Sequence, residues 1–370
     1  MDFLDKQQAL EIVENYMASE GRPGTTQEIL DSNAVPRLNG YKVKPGKVSD
    51  SIFGGKFTYT DKASGEEVEW ENPPLDTASG IPIRIMVRTE KISTHDMNRG
   101  EIPYKDQLLA LNHATHRKIL EPYFGNSQFD VGLPDNSVVI AAENTEIIPV
   151  ENVMRAYMAK SSTKTSLYVA FMDGKREFCG HILPKNLITN GPLPYIMDTP
   201  STKSDEHDKS VSPQQLFDQH ICTPAEYNQI RNAGIAAFGA ISHALDRKGL
   251  IAVDTKTEHG RKQDGTIAVI DEIWTMDSSR FWLKEDYLEQ MRKLEAGEIE
   301  FLNPRSFSKE FARGFSEGDK GYTDEQRRDI AVRYIEGVQQ LLENEFNPDQ
   351  RLRDERVVHG LHTIVNKLAA

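Results

Sequence analysis

An α+β fold is predicted by three features of the 370-residue sequence. Short strand-like runs separated by turn signals fill the first third; polar and apolar residues then alternate through 250–271; and helical periodicity dominates the last third. The runs Lys56–Thr60, Val68–Trp70 and Ile81–Arg88 are divided by Asp61-Lys-Ala-Ser-Gly65 and Asn72-Pro73-Pro74. These breakers favour tight antiparallel connections.

Each element follows from its own signals. Leu4, Leu10, Val13 and Met17 make one apolar face of a first helix, ahead of a Pro/Gly-punctuated stretch from Gly21 to Gly46. A helix is expected over Lys105–Leu120, ending before Pro122, and a strand over Ser137–Ala142. Glu146–Val153 reads as a connector, Leu167–Met172 as a strand, and Asn190–Ser212 as a long polar loop whose prolines and charges oppose regular structure. Thr223-Pro224-Ala225-Glu226 is a capping box with proline at the first helical position, opening a helix that Gly249 stops. The remaining helices are expected at Lys284–Ala296, Asp324–Asn344 and Arg351–Leu368.

Composition narrows the function classes. With 44 basic and 57 acidic residues the net charge is −13, which argues against a nucleic-acid binder or an anionic-membrane binder, since both need basic surface. Any phosphate site must be local. Cys179 and Cys222 are too few for a disulfide framework and lack zinc-type spacing. Acidic residues near the start, and no apolar run near the ~18 residues of a membrane span, give the expectation of a cytoplasmic protein.

The segment LIAVDTKTEHGRKQDGTIAVIDEIWTMDSSRFW carries the strongest chemical signal. A two-residue turn at Asp264-Gly265 sets Gln263 opposite Thr266 and Glu258 opposite Asp271. Opposed carboxylates repel, and a divalent cation such as Mg²⁺ relieves that repulsion. Asp254 and Lys256 share the Glu258 face by strand alternation. A solvated hairpin accounts for the same charges, and a longer Gly260–Gly265 loop would slip the register by one residue.

Weaker signals lie elsewhere. The Gly-rich stretch VKPGKVSDSIFGG, 43–55, suits either a phosphate-cradling loop or an ordinary hairpin turn. The loop TPSTKSDEHD, 199–208, could close over an anionic substrate or simply be solvated. Arg155 and Arg280 sit beside apolar or aromatic neighbours able to hold a guanidinium. His95, His113 and His116 form no metal-ligand set and read as structural.

Taken in order, GKVSD, IPVENVMRAY, PSTKSDEHD, VDTKTEHG, IDEIWTMDSSRFW and SKEFARGF resemble the SAICAR synthetase family, from about Gly46 to Tyr334. The resemblance implies a kinase-reminiscent, ATP-grasp-like fold. Its divisions would be an N-terminal helical extension (1–40), an ATP-binding antiparallel β domain (41–150), a central catalytic α+β domain (151–300) and a C-terminal helical segment (301–370). It also implies ATP-dependent joining of L-aspartate to a phosphoribosyl-aminoimidazole carboxylate through an acyl phosphate, with Mg²⁺.

The roles it implies are as follows. Glu258 and Asp271 would bind metal, and Lys256 and Asp254 would serve catalysis. Gly46, Lys47, Val48 and the backbone near Glu151 and Val153 would hold ATP. Arg155, Ser161, Arg280, Lys203, His207, Asp208 and Ser93 would line the substrate pocket. Small-molecule substrates and a possible homo-oligomer complete the expectation. Departures fall at Ser49, where a basic residue is usual, and at Glu90, Lys91 and Lys160. They admit a divergent branch with compensating contacts, a ligase of altered substrate choice, or a nucleotide-binding paralogue without catalysis.

Overall fold

The computed structural model describes residues 3–19, 24–61, 64–95, 97–203 and 209–369. Helices α1 (Lys6–Ser19) and α2 (Thr26–Asp31) lead into β1 (Ser49–Phe53), the hairpin β2 (Gly55–Thr60) and β3 (Glu67–Asn72), β4 (Ile83–Arg88), and a second pair, β5 (Lys91–Thr94) and β6 (Met97–Glu101). Helix α3 (Lys105–Leu120) is followed by β7 (Gly125–Asn126), β8 (Val139–Glu143) and β9 (Glu146–Tyr157). The middle of the chain holds α4 (Leu167–Met172), β10 (Glu177–Phe178), β11 (His181–Ile182), β12 (Pro192–Asp198), β13 (Ser201–Thr202), α5 (Pro213–Asp218) and α6 (Pro224–Arg247). Then come β14 (Leu250–Arg261), β15 (Ile267–Ile270), β16 (Ser279–Leu283), α7 (Lys284–Glu295), β17 (Ser306–Phe307), α8 (Lys309–Arg313), α9 (Asp324–Leu342) and α10 (Arg353–Lys367).

Two sheets matter for the site. The smaller is antiparallel, in the order β1-β4-β8. Its odd-numbered β4 residues Ile83, Ile85 and Val87 enter a core that also takes Ile29 and Leu30 of α2 and Val357, Leu361 and Ile364 of α10. The larger, eight-stranded sheet is built around β14. One edge of β14 pairs with β9 from Asp254 to Arg261, while the other is shared by β16 at one end and β15 at the other. The Asp271–Ser278 connection runs from β15 to β16, past the split between them.

Helix α6 covers the back of this sheet. Gly234 lies so close to Met154 and Asn152 that a β-carbon there would sit 2.6 and 2.7 Å from them, so the even-numbered side chains of β9 face the helix. Glu151, Val153 and Arg155 therefore face the opposite way. Alternation along β9 thus separates core from site.

Three expectations are corrected. Leu167–Met172, expected as a strand from its apolar run, is helical, because Ser166 caps it by accepting the Val169 N–H. The Asn190–Ser212 stretch contains β12 and β13, which pair with β9 despite three prolines in the sequence 192–200; a strand at the edge of a sheet tolerates proline. Glu146–Val153 is part of one long strand, not a connector, so β9 runs straight through the expected boundary at 150/151.

Candidate functional site

Asp254 lies at the centre of three strands in register. It pairs with Arg155 of β9 on one side and Arg280 of β16 on the other, and directly paired residues share a sheet face. A bulge at Val253 makes this alignment possible: Ala252 pairs with Phe281, yet Asp254 pairs with Arg280. Arg155 Nη1 donates to Asp254 Oδ2 at 2.7 Å, and Arg280 grips the same carboxylate through Nε at 2.8 Å and through Nη2. The arginines are fixed from behind by Thr199 Oγ1 (3.0 Å from Arg155 Nε) and the Lys160 carbonyl (2.8 Å from Arg280 Nη1). Burial alone would raise the Asp254 pKa, but the two guanidiniums outweigh it and hold the carboxyl below its usual range. The result is a cationic pair with one shared counter-ion.

Two and four residues along β14, Lys256 and Glu258 extend the same face. Glu258 pairs with Glu151 of β9, a like-charge register that needs neutralisation. Lys256 Nζ supplies it by bridging to Glu151 and lying 3.4 Å from Glu258, while Lys203 Nζ also pairs with Glu258. Ser201 Oγ donates to the other Glu151 oxygen at 2.8 Å. Burial opposes the charged forms of Lys256 and Glu258, and the opposite charges overcome it: Lys256 is raised and Glu258 lowered.

The hairpin register differs from the expectation by one residue. Glu258 pairs with Ile270, and the Lys262 N–H donates to the Thr266 carbonyl, so the turn has three residues, Gln263-Asp264-Gly265, with Gly265 at φ +82°. The Asp264-Gly265 signal fits both turn lengths, since a three-residue loop also ends in left-handed glycine. Asp271 consequently leaves the ladder. Its backbone turns to φ +58°, and its carboxylate loses solvation among its neighbours and stays close enough to Glu258 for repulsion to add to that loss, so its pKa is raised. The slip therefore breaks the direct pairing but not the proximity of the two charges.

A buried ionic knot fixes the connection that follows. Asp277 lies 2.8 Å from Lys105 Nζ of α3 and 3.1 Å from Lys309 Nζ of α8, and Tyr334 OH of α9 donates to it at 2.7 Å. Lys105 is wholly buried. Glu272 lies beside this knot; burial, with Asp277 and Asp271 adding repulsion, lifts its pKa to about 7. Sequence reading passed over Lys105 and Lys309, whose partner is remote in the chain. His113 and His116 are buried nearby and held neutral by that burial.

The smaller sheet faces this acidic row. Arg84 and Arg88 of β4 are near enough to sense Asp271, with Glu258 also acting on Arg84 and Glu272 on Arg88. Neither was singled out from the sequence, although arginines alternating with apolar residues in IRIMVR were a visible signal. At Gly46-Lys47-Val48 the chain folds back tightly: a β-carbon on Gly46 would lie 2.0 Å from the Ser49 carbonyl oxygen, and the Gly46 N–H donates to Asp50 at 3.3 Å. Thr89 holds the Val48 carbonyl through both its N–H and its hydroxyl, each at 2.8 Å.

The other expected residues divide. Ser161 follows Lys160, whose carbonyl holds Arg280, so it lies beside the arginine pair. Ser93 is in β5, paired with Asn98, and makes no hydrogen bond to the row on β14. The use of Glu151 and Val153 as backbone contacts for adenine is corrected: both are mid-strand, Ser201 pairs with Glu151, and the Val153 carbonyl already accepts the Thr199 N–H at 2.8 Å. Glu151 contributes its side chain instead. His207 and Asp208 lie outside the described residues.

An α+β scaffold that flanks a row of carboxylates and lysines with Arg155 and Arg280, and sets one strand bearing Arg84 and Arg88 across from it, is suited to anionic ligands. The profile of the family described as SAICAR synthetase matches residues 80–328, and the chain belongs to that family. It is 36% identical over 247 residues to the chloroplastic phosphoribosylaminoimidazole-succinocarboxamide synthase of Arabidopsis thaliana, a match covering 65% of this chain and 56% of that protein. The corresponding synthase of Legionella pneumophila (strain Lens) is 32% identical over 288 residues, covering 75% of this chain and 89% of that protein. The match thus spans a little over half of the Arabidopsis relative and 64% of a second plant relative. In structure the chain resembles the SAICAR synthase of Saccharomyces cerevisiae complexed with SAICAR, with a TM-score of 0.62, 20% identity, and coverage of 84% of this chain and 98% of that one. This likeness shows the fold.

Proposed function

We propose that this chain joins L-aspartate to the carboxylate of a phosphoribosyl-aminoimidazole at the expense of ATP, releasing ADP and phosphate. The observation that carries this reading is the row Asp254, Lys256 and Glu258 in register with Arg155, Arg280 and Glu151. Membership of the family supplies the reaction class.

A carboxylate is a poor electrophile, so one of its oxygens first attacks the terminal phosphorus of ATP and ADP leaves. The aspartate amine then attacks the carbonyl carbon of the acyl phosphate, phosphate leaves with the C–O bond electrons, and the nitrogen gives up a proton. Arg155 and Arg280 hold the ribonucleotide phosphate, a task suited to guanidinium forks already oriented by Asp254 and Thr199. Lys256 stays cationic beside the transferring phosphoryl group, and Lys203, just after β13, adds a second positive charge facing the substrate. Gly46, Lys47 and Val48 lie over the nucleotide.

Among the described residues no group of three or more His, Cys, Asp or Glu side chains is arranged to hold a metal. Glu258 and Asp271, near enough for their charges to repel, are the two carboxylates that would hold Mg²⁺, an ion that commonly takes one or two carboxylates together with substrate phosphates and water. When bound, the ion would neutralise phosphate charge. No helix among the described residues is long and apolar enough to cross a membrane, in keeping with a proposed cytoplasmic setting.

The test is ADP release measured with MgATP, the aminoimidazole carboxylate ribonucleotide and L-aspartate. Turnover should require all three, and folded protein without aspartate-dependent turnover would refute the assignment.

A further inference from the structure

Two arginines of the smaller sheet are not used by the chemistry above. On β4 the even-numbered side chains Arg84, Met86 and Arg88 share a face with Phe53, Ser51 and Ser49 of β1, their respective cross-strand partners. Arg88 is only 3% exposed, yet it has no hydrogen bond or ion pair from its guanidinium among the described residues, and its Nε is fully enclosed without a partner. Arg84 spends part of its fork on Ser51 Oγ, at 3.3 and 3.2 Å, lies 5.1 Å from the Phe53 ring centroid and has no carboxylate partner within ion-pair distance among the described residues.

A desolvated cation without a counter-ion is unfavourable by itself, so its retention points to an anion that arrives from solution. The acids across the way, Asp271, Glu258 and Glu272, influence these arginines without pairing to them. An anion between the two walls must offer several oxygens, some toward guanidinium and some toward whatever neutralises the carboxylates. The 46–48 loop bounds the same place, because Thr89, next to Arg88, carries the Val48 carbonyl. Ser49, opposite Arg88, brings no charge of its own.

We propose that Arg88, assisted by Arg84, is the grip on the polyphosphate of the nucleotide, supplying from β4 the positive charge that β1 lacks. This rests on the reading that a nucleoside triphosphate binds between the two sheets. Arg88 is a binding residue here, its fork directed to phosphate oxygens.

The experiment titrates wild-type protein, R88Q, R88K and a surface control, R247Q, with magnesium tripolyphosphate and with MgATP by calorimetry, and follows each protein's thermal unfolding. R88Q should weaken both ligands at least tenfold while its Tm stays equal or rises, since a buried unpaired charge has been removed. R88K should weaken them at least threefold by losing the fork, and it carries the test if R88Q does not fold. R247Q should match wild type. Equal affinity in wild type and the Arg88 variants, or no tripolyphosphate binding by wild type, would overturn the proposal. Wild-type protein that binds tripolyphosphate through Arg88 but shows no aspartate-dependent ADP release would sink the ligase reading and leave this one standing.

Discussion

Asp254 and Asp271 illustrate how two acids seventeen positions apart come to have opposite stability roles. Asp254 is buried between Arg155 and Arg280, and its pKa is lowered, so its contribution to stability is present above the unfolded value of 3.8 and is lost as pH falls through the lower folded value. D254N leaves two guanidiniums facing a neutral group and should cost about 3 kcal/mol at neutral pH. The deficit should shrink toward acid pH in chemical denaturation; a deficit independent of pH would show that the charge is not what holds the strands. Asp271 has a raised pKa, so its sign is reversed: favourable below the unfolded value and lost as pH rises through the folded one. D271N should therefore leave Tm unchanged or higher at pH 7 while lowering MgATP-dependent turnover at least a hundredfold. Normal activity in that variant would remove Asp271 from the site.

At the scale of elements, the carboxylate row depends on how α6 is seated behind it. Its capping box, Thr223 with Glu226, fixes where the helix begins, and Glu226 also receives Arg261 at the far end of β14, with Nε 2.5 Å away. Gly234 then allows β9 to approach the helix. G234V would drive a branched side chain into Met154 and Asn152 and should destabilise by about 2 kcal/mol, detected as a lower denaturation midpoint, with kcat falling as the β9–β14 register loosens. An unchanged midpoint would mean that α6 is free to move away. Helix α6 was legible because capping, proline and stop glycine agree, and the alternation through Asp254, Lys256 and Glu258 was legible because side chains repeat every second residue. The hairpin register was not, since one dipeptide serves two turn lengths. Glu151 was misplaced for a different reason: nothing local in IPVENVMRAY distinguishes a connector from a strand whose partners lie fifty and a hundred residues away. Arg84 and Arg88 became meaningful only once β4 was placed opposite Asp271.

Across the whole molecule, residues near both ends of the sequence are built into the frame that holds β4. Leu4 exchanges hydrogen bonds with Gln339 of α9, at 2.9 and 3.2 Å, and Val13 and Tyr16 of α1 lie in the same core as Ile330, Tyr334 and Val338. Tyr16 OH donates to Glu90 Oε1 at 2.8 Å, and the same oxygen accepts the Tyr104 N–H at 2.7 Å where α3 begins. Arg356 of α10 reaches both Tyr16 OH (3.4 Å) and Asp106 (3.2 Å). Glu90 follows Thr89 and Arg88 directly, so α1, α3 and α10 meet at the end of the strand proposed to grip polyphosphate. Y16F removes one buried donor without changing shape and should cost about 1–2 kcal/mol. If α1 steadies the nucleotide wall, the KM for MgATP should rise twofold to fivefold while the KM for aspartate holds. A lower Tm with both constants unaltered would make α1 a packing element alone, and the coupling between the helical frame and the phosphate grip would fail.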